Sequence, residues 1–150
     1  MIGIKVSVST NKKITEELLN KFDNGLDDLA DFILTRSQEL VPVDESTLKK
    51  SGHTDKTTPF SKSVFYDAPH APYIEYGTKP HYLPRSAIDG ELTKWAMRVL
   101  ELSEKKANQA AWGIAGKIAA VGTEAQPYLR PAADEGKIKA PAIIRNAMRK

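Results

Sequence analysis

The chain contains no cysteine. A disulfide framework, a zinc–thiolate centre and a cysteine nucleophile are therefore excluded. The same absence fits a reducing compartment. Long apolar runs are also missing, and none approaches the length of a bilayer span. The opening "MIGIKVSVST" has no basic stretch leading into an apolar one, so no signal peptide is expected. On this reading the protein is soluble, made inside the cell and without a membrane partner. There is no G-x-S-x-G, no phosphate-cradling glycine loop and no H-E-x-x-H. Nor does charge of one sign dominate. The 22 basic and 19 acidic residues leave a net charge of +3, too little to announce a nucleic-acid binder. The 150 residues predict a single domain over 1–150, with a modest core that needs no cross-link.

What is present is patterned. "IGIKVSVS" alternates Ile2, Ile4, Val6 and Val8 with small or polar residues, as a half-buried strand does. Thr15 is placed as the N-cap of a helix, with Glu16 and Glu17 in its first turn. Leu18, Phe22, Leu26, Leu29, Ile33, Ser37 and Leu40 follow at helical spacing until Pro42. That helix is predicted at about 25 residues, with Gly25 a weak point inside it. "HTDKTTPFSKS" reads as a loop or exposed hairpin leading into a strand at "SVFYD". A short helical turn is expected over 69–76, ended by Gly77, and then an extended run through "KPHYLP". Ser86 or Asp89 is expected to cap a helix carrying Leu92, Trp95, Ala96, Val99 and Leu100. Ser103 caps the next, an alanine-rich helix that Gly122 ends. "EAQPYLRPA" reads as extended, Pro131 as the first residue of a last helix, and Pro141 as its interruption.

The densest chemistry lies in "YDAPHAPYIEYGTKPHYLPRS", from Tyr66 to Ser86. His70, Glu75 and His81 include suitable metal ligands, but their spacing matches no motif with a mechanism behind it. Glu75 or Asp67 beside a histidine could move protons only if fold and pocket brought them together. Tyrosines among Lys79, His81 and Arg85 could stack bases and grip phosphates. The alternative for the tyrosines is a cluster with apolar bodies inside and hydroxyls at the rim. No catalytic residue, cofactor or metal is assigned. One echo is visible: "GTKPHYLPRSA" at Gly77 resembles "GTEAQPYLRPA" at Gly122, as though two helices ended against similar grooves.

Three segments in order, "LVPVDESTLKKS", "APHAPYIEYGT" and "AQPYLRPA", together resemble the gene-product-ten-like tail component family of tailed phages and prophages. The matching positions are Val43, Asp44 and Leu48; Tyr73, Glu75, Tyr76, Gly77 and Thr78; and Gln126, Pro127, Tyr128, Leu129, Arg130 and Pro131. Glu45 and Ser46 stand where the family commonly has Thr-Gly, which favours a short helical turn there. Residues 79–121 look like a helical insertion. The resemblance implies an α+β fold: a long N-terminal amphipathic helix on a small, mostly antiparallel sheet, with further helices in the insertion and at the C-terminus. It implies a non-enzymatic virion protein, made in the host cytoplasm and placed at the neck or tail top. There it would form a ring of its own copies, six by the family pattern, that completes the tail and joins it to the head. Its partners would be the head connector or adaptor, and the tail tube or tail terminator; genome DNA would pass through without being read. The rival reading is a small basic nucleic-acid-binding or toxin-like ribonuclease module, and a metal-dependent hydrolase stands third. Within the matched motifs, Glu75 and Arg130 are expected to form a buried or half-buried ion pair that ties the middle segment to the last helix. Tyr73, Tyr76, Tyr128 and Leu129 are expected to be packing residues.

Overall fold

In a computed structural model, the apolar stripe that begins at Leu18 runs along α1 (Lys12–Leu40). The structure describes residues 12–42, 47–58 and 60–150. The expected first strand therefore lies outside the described residues, as do Val43, Asp44, Glu45 and Ser46. α1 spans 29 residues and includes Thr15 instead of being capped by it. Lys12, Lys13 and Ile14 are acceptable in a helix, so nothing local forces a later start.

The main partner of α1 is the antiparallel α7 (Leu129–Arg149). Gly25 is a contact point between them. A Cβ there would lie 3.2 Å from the Ile144 Cα and 3.3 Å from the Ala147 Cβ. The residue read as a weak point is thus where the two backbones approach. Arg36 Nε donates to both Glu135 carboxylate oxygens, at 3.0 and 2.9 Å, and Lys139 lies 4.6 Å from the Phe32 ring centroid. Pro141 does not interrupt α7, and Pro131 sits in its third position. Pro141 and Lys137 are both exposed, so water can satisfy the carbonyl that the proline leaves without a donor.

After α2 (Thr47–Lys50), β1 (Gly52–Thr58) and β2 (Ser61–Tyr66) form an antiparallel hairpin, with Gly52 opposite Tyr66 and Lys56 opposite Lys62. It packs on α1, giving the α+β fold of a long N-terminal helix on a small antiparallel sheet. Lys62 fixes the hairpin by reaching Asp27 at 2.5 Å and Asp23 at 3.4 Å. α3 (Ala71–Tyr76) is the expected short helix, and Gly77 ends it at φ +70°.

Val41, Leu48, Ala68, Ala71 and Tyr128 form the core of this body, with Leu40, Tyr66, Ile74 and Leu129 packed against them. Inside it, the Tyr66 and Tyr128 rings meet edge to face at 4.9 Å, and the Tyr66 hydroxyl lies 2.7 Å from the buried Ser37 Oγ.

Residues 79–121, called the insert below, carry their own helices: α4 (Arg85–Ala87), a π turn (Ile88–Leu92), α5 (Thr93–Val99) and α6 (Glu104–Val121). They pack chiefly on one another, around Ile88, Ala111 and Ala115. Neither Ser86 nor Asp89 caps this run, which starts after Pro84. Ser103 occupies the N-cap position of α6, but its side chain makes no capping bond. The π turn was not foreseen. Thr93 Oγ donates to the Ile88 carbonyl at 2.7 Å, and Asn108 Nδ2 donates to that hydroxyl at 3.2 Å, so the widened turn leaves no orphan there.

Candidate functional site

α3 has two faces. Ala71 and Glu75, four residues apart, are buried; Tyr73 and Tyr76 point outward, 61 % and 71 % exposed. A buried carboxylate needs donors. Glu75 finds them in the backbone at the start of α7. Its Oε2 accepts from the N–H of Tyr128 at 2.8 Å and of Leu129 at 2.9 Å, and its Oε1 accepts from the N–H of Arg130 at 3.0 Å. Those amides would otherwise lack partners at a helix start, and the helix dipole favours a negative charge there.

The expected Glu75–Arg130 ion pair is therefore corrected. Arg130 contributes its amide, while its guanidinium lies 6.0 Å from the centroid of the Tyr76 ring. The packing expectation holds for Tyr128, 2 % exposed, and for half-buried Leu129, but not for Tyr73 or Tyr76. Burial, and then the negative charge of Glu75, push the Tyr128 phenol up to about 12.

The echo has a structural basis. The two Gly-Thr pairs lie against each other. Thr78 N–H donates to the Thr123 carbonyl at 3.1 Å, and Thr123 N–H returns to Thr78 at 3.2 Å. The two threonine hydroxyls are 3.0 Å apart. Gly77 and Gly122 both hold positive φ, +70° and +78°, and a Cβ on Gly77 would stand 2.5 Å from the Thr123 carbonyl oxygen. Only glycine fits such a double requirement. The helices do not end in separate grooves; they end on each other, in a clasp that closes the insert at its root.

Of the remaining motif positions, Leu48 is buried in the core, the backbone N–H of Gln126 donates to the Ile74 carbonyl at 2.8 Å, Pro127 is exposed and Pro131 is half-buried. His70 and His81 are exposed, and His81 Nδ1 lies 2.9 Å from the Lys79 carbonyl. Glu75 is buried on the α7 side with its oxygens on the three amides, apart from these exposed histidines. Among the described residues no group of three or more His, Asp or Glu side chains converges as a metal site. His53 sits 3.5 Å from Asp67 and stacks tilted on Phe65 at 5.8 Å.

Beside the clasp, body and insert face each other across an open cleft of about 1500 Å³. Leu48, Ile74 and Tyr73 line it from the body, Leu83, Trp95 and Val99 from the insert. Asp89, which sequence reasoning placed as a cap, is instead a hub of the insert. It accepts from Asn108 at 3.0 Å, Trp112 Nε1 at 3.0 Å and Arg85 at 3.1 Å, and these bonds hold its carboxyl below the usual range. Only the i,i+4 spacing of Arg85 and Asp89 hinted at this.

No family model, no curated protein and no solved structure matches the chain. No helix among the described residues is long and apolar enough to cross a membrane.

Proposed function

We propose that this chain is a structural virion protein of a tailed phage or prophage, completing the tail and joining it to the head as a ring at the neck. One observation carries the reading. The three segments behind the family resemblance, far apart in sequence, meet at a single point: Leu48 from the first, Ala71 and Glu75 from the second, Tyr128 from the third. Residues shared with a family as motifs are expected to be those that fix its fold, and these do. The densest stretch of the chain then serves to hold an interface rigid, with Glu75 spent on backbone amides. The partners would be further copies of the chain, the head connector or adaptor, and the tail tube or terminator, with DNA threading the ring unread. The test is mass spectrometry of purified particles from the producing strain, counting this chain against the major capsid protein. A few copies per particle support one ring at the neck, and absence from particles removes the reading.

A second reading, a nucleic-acid-binding or ribonuclease module, is favoured by the outward tyrosines. Tyr73, Tyr76 and Tyr82 are 61 %, 71 % and 89 % exposed, near Lys79 and Arg130. Aromatics and cations so placed can stack bases and grip phosphates. It requires salt-dependent binding to single-stranded nucleic acid that weakens in Tyr76→Ala, and cleavage that disappears in His70→Ala or His81→Ala.

A further inference from the structure

The insert hangs from the body by a narrow neck. The chain enters the insert after Thr78 and returns at Thr123, and the clasp is the middle one of three backbone rungs between the two passes. On the body side the Gln126 N–H donates to the Ile74 carbonyl at 2.8 Å, and on the insert side the His81 N–H donates to the Ile118 carbonyl at 3.4 Å. Between the rungs each pass holds one glycine at positive φ, Gly77 on the way out and Gly122 on the way back. Their ψ values, −175° and −157°, complete a conformation that is close to glycine-only. The helices on either side of the neck pack chiefly within their own side. A two-stranded ribbon is a weak element by itself, and hinges are a few residues at element ends that absorb changes of φ and ψ.

Beside this neck two apolar walls face each other. Leu48, Tyr73 and Ile74 line the cleft from the body, and Leu83, Trp95 and Val99 line it from the insert. Tyr73 is 61 % and Val99 46 % exposed, so the walls stand in water at this opening. The cleft's volume of about 1500 Å³, taken as a cube, is about 11 Å on a side, the width of one helix. Apolar surfaces are driven together by their removal from water. Two walls already joined along one edge meet without the loss of translational freedom that separate molecules suffer.

We propose that the insert is a hinged lid. It turns about the neck at Gly77 and Gly122 and closes Leu83, Trp95 and Val99 onto Tyr73 and Ile74, so that the free chain hides the cleft from solvent. Both cores stay intact, because the dihedral angles that change lie in the neck. The motion belongs to the chain by itself and does not depend on its place in a particle.

The absence of cysteine makes the test clean. Lys49→Cys and Glu91→Cys place one spin label on each side of the cleft, both at exposed positions. Double electron–electron resonance then reads the distance between the labels, in this labelled parent and in the same chain carrying Val99→Glu. A glutamate at position 99 stands in water while the cleft is open and is buried against the facing wall when it closes, so it disfavours only the closed form. The main distance in the parent should be shorter than in Val99→Glu by about 5 Å or more, roughly half a helix width. Tyr73→Glu, on the opposite wall, should lengthen the distance in the same way. The parent's far-ultraviolet circular dichroism, retained in each variant, certifies that the fold is intact. One and the same distance in the parent and both variants overturns the proposal. So does a pair of distances in the parent that neither variant shifts, because the apolar walls would then not be what closes the lid. A shift in one folded variant without the other overturns it too, because closure brings both walls together.

Discussion

The body and the insert are held by different means. The body's core joins residues as distant in sequence as Val41 and Tyr128, and its short helix is fastened to its long one by a buried carboxylate on three amides. The insert's core of Ile88, Ala111 and Ala115, with Leu83 and Leu92 against it, is local. It also leaves Met97, Val99, Leu100 and Trp112 between 40 % and 46 % exposed. Small buried side chains remove little apolar area from water, so the insert owes less to burial than the body does. The lesson is that the insert is the part able to open by itself, while any loss at the Glu75 clamp is felt by the whole body.

The largest effect should follow from breaking that clamp. Glu75→Gln keeps the shape but removes the charge, and its NH₂ group must face one of the three amides. Stability should fall by about 3 kcal/mol, as expected when buried donors lose a charged acceptor. Urea denaturation of the variant measures this, and a loss below about 1 kcal/mol would place the body's stability elsewhere.

Alkaline pH should strike the same core. The folded chain holds the Tyr128 proton more tightly than the unfolded chain, because its pKa is raised from 10.0 to about 12. The resulting stabilisation is whole below about pH 10 and is lost as pH rises through 12. Burial raises the Tyr66 phenol too, so it acts in the same direction. The urea midpoint should drop between about pH 10 and pH 12 in the parent and drop less in Tyr128→Phe. An identical decline in both would show that other groups carry it.

The insert can be tested by removing it. Thr78 and Thr123 form an antiparallel pair, and a two-residue turn is the natural link between such ends. Replacing residues 79–122 by Asn-Gly should leave a body that unfolds cooperatively, with its melting temperature within about 8 °C of the parent's, the shift expected for ~1 kcal/mol in a domain of that size. Far-ultraviolet circular dichroism should lose the helix signal of α4 to α6 and no more. A body that fails to fold would mean that the two cores depend on each other.

Much of this organisation was legible in the sequence. The alanine periodicity gave α6, and Gly77 and Gly122 marked two helix ends, because positive φ is a local demand that only a few residues meet. The hairpin and α3 were legible for similar reasons of turn and proline chemistry. What failed was whatever depends on a distant partner. Four tyrosines between Tyr66 and Tyr82 look alike in sequence, yet Tyr66 packs inside with Tyr128 while Tyr73, Tyr76 and Tyr82 face water. Pro141 looked like a break because the sequence does not show that its lost hydrogen bond faces solvent. A sequence displays charges and hides amides, so the partner expected for Glu75 was the cation of the other matched motif, Arg130.

That misreading defines the smallest and sharpest prediction. If Glu75 and Arg130 formed an ion pair, truncating either side chain would cost a similar amount, and a double-mutant cycle would show strong coupling. In the clamp, Arg130 acts through its backbone, which Arg130→Ala retains. What the substitution removes is an exposed contact with the Tyr76 ring, worth about 0.5 kcal/mol. Arg130→Ala should therefore cost roughly a sixth of Glu75→Gln, and the cycle between the two positions should show little coupling. Losses of equal size would restore the ion pair and would make α7's first turn depend on a side chain instead of on its own amides.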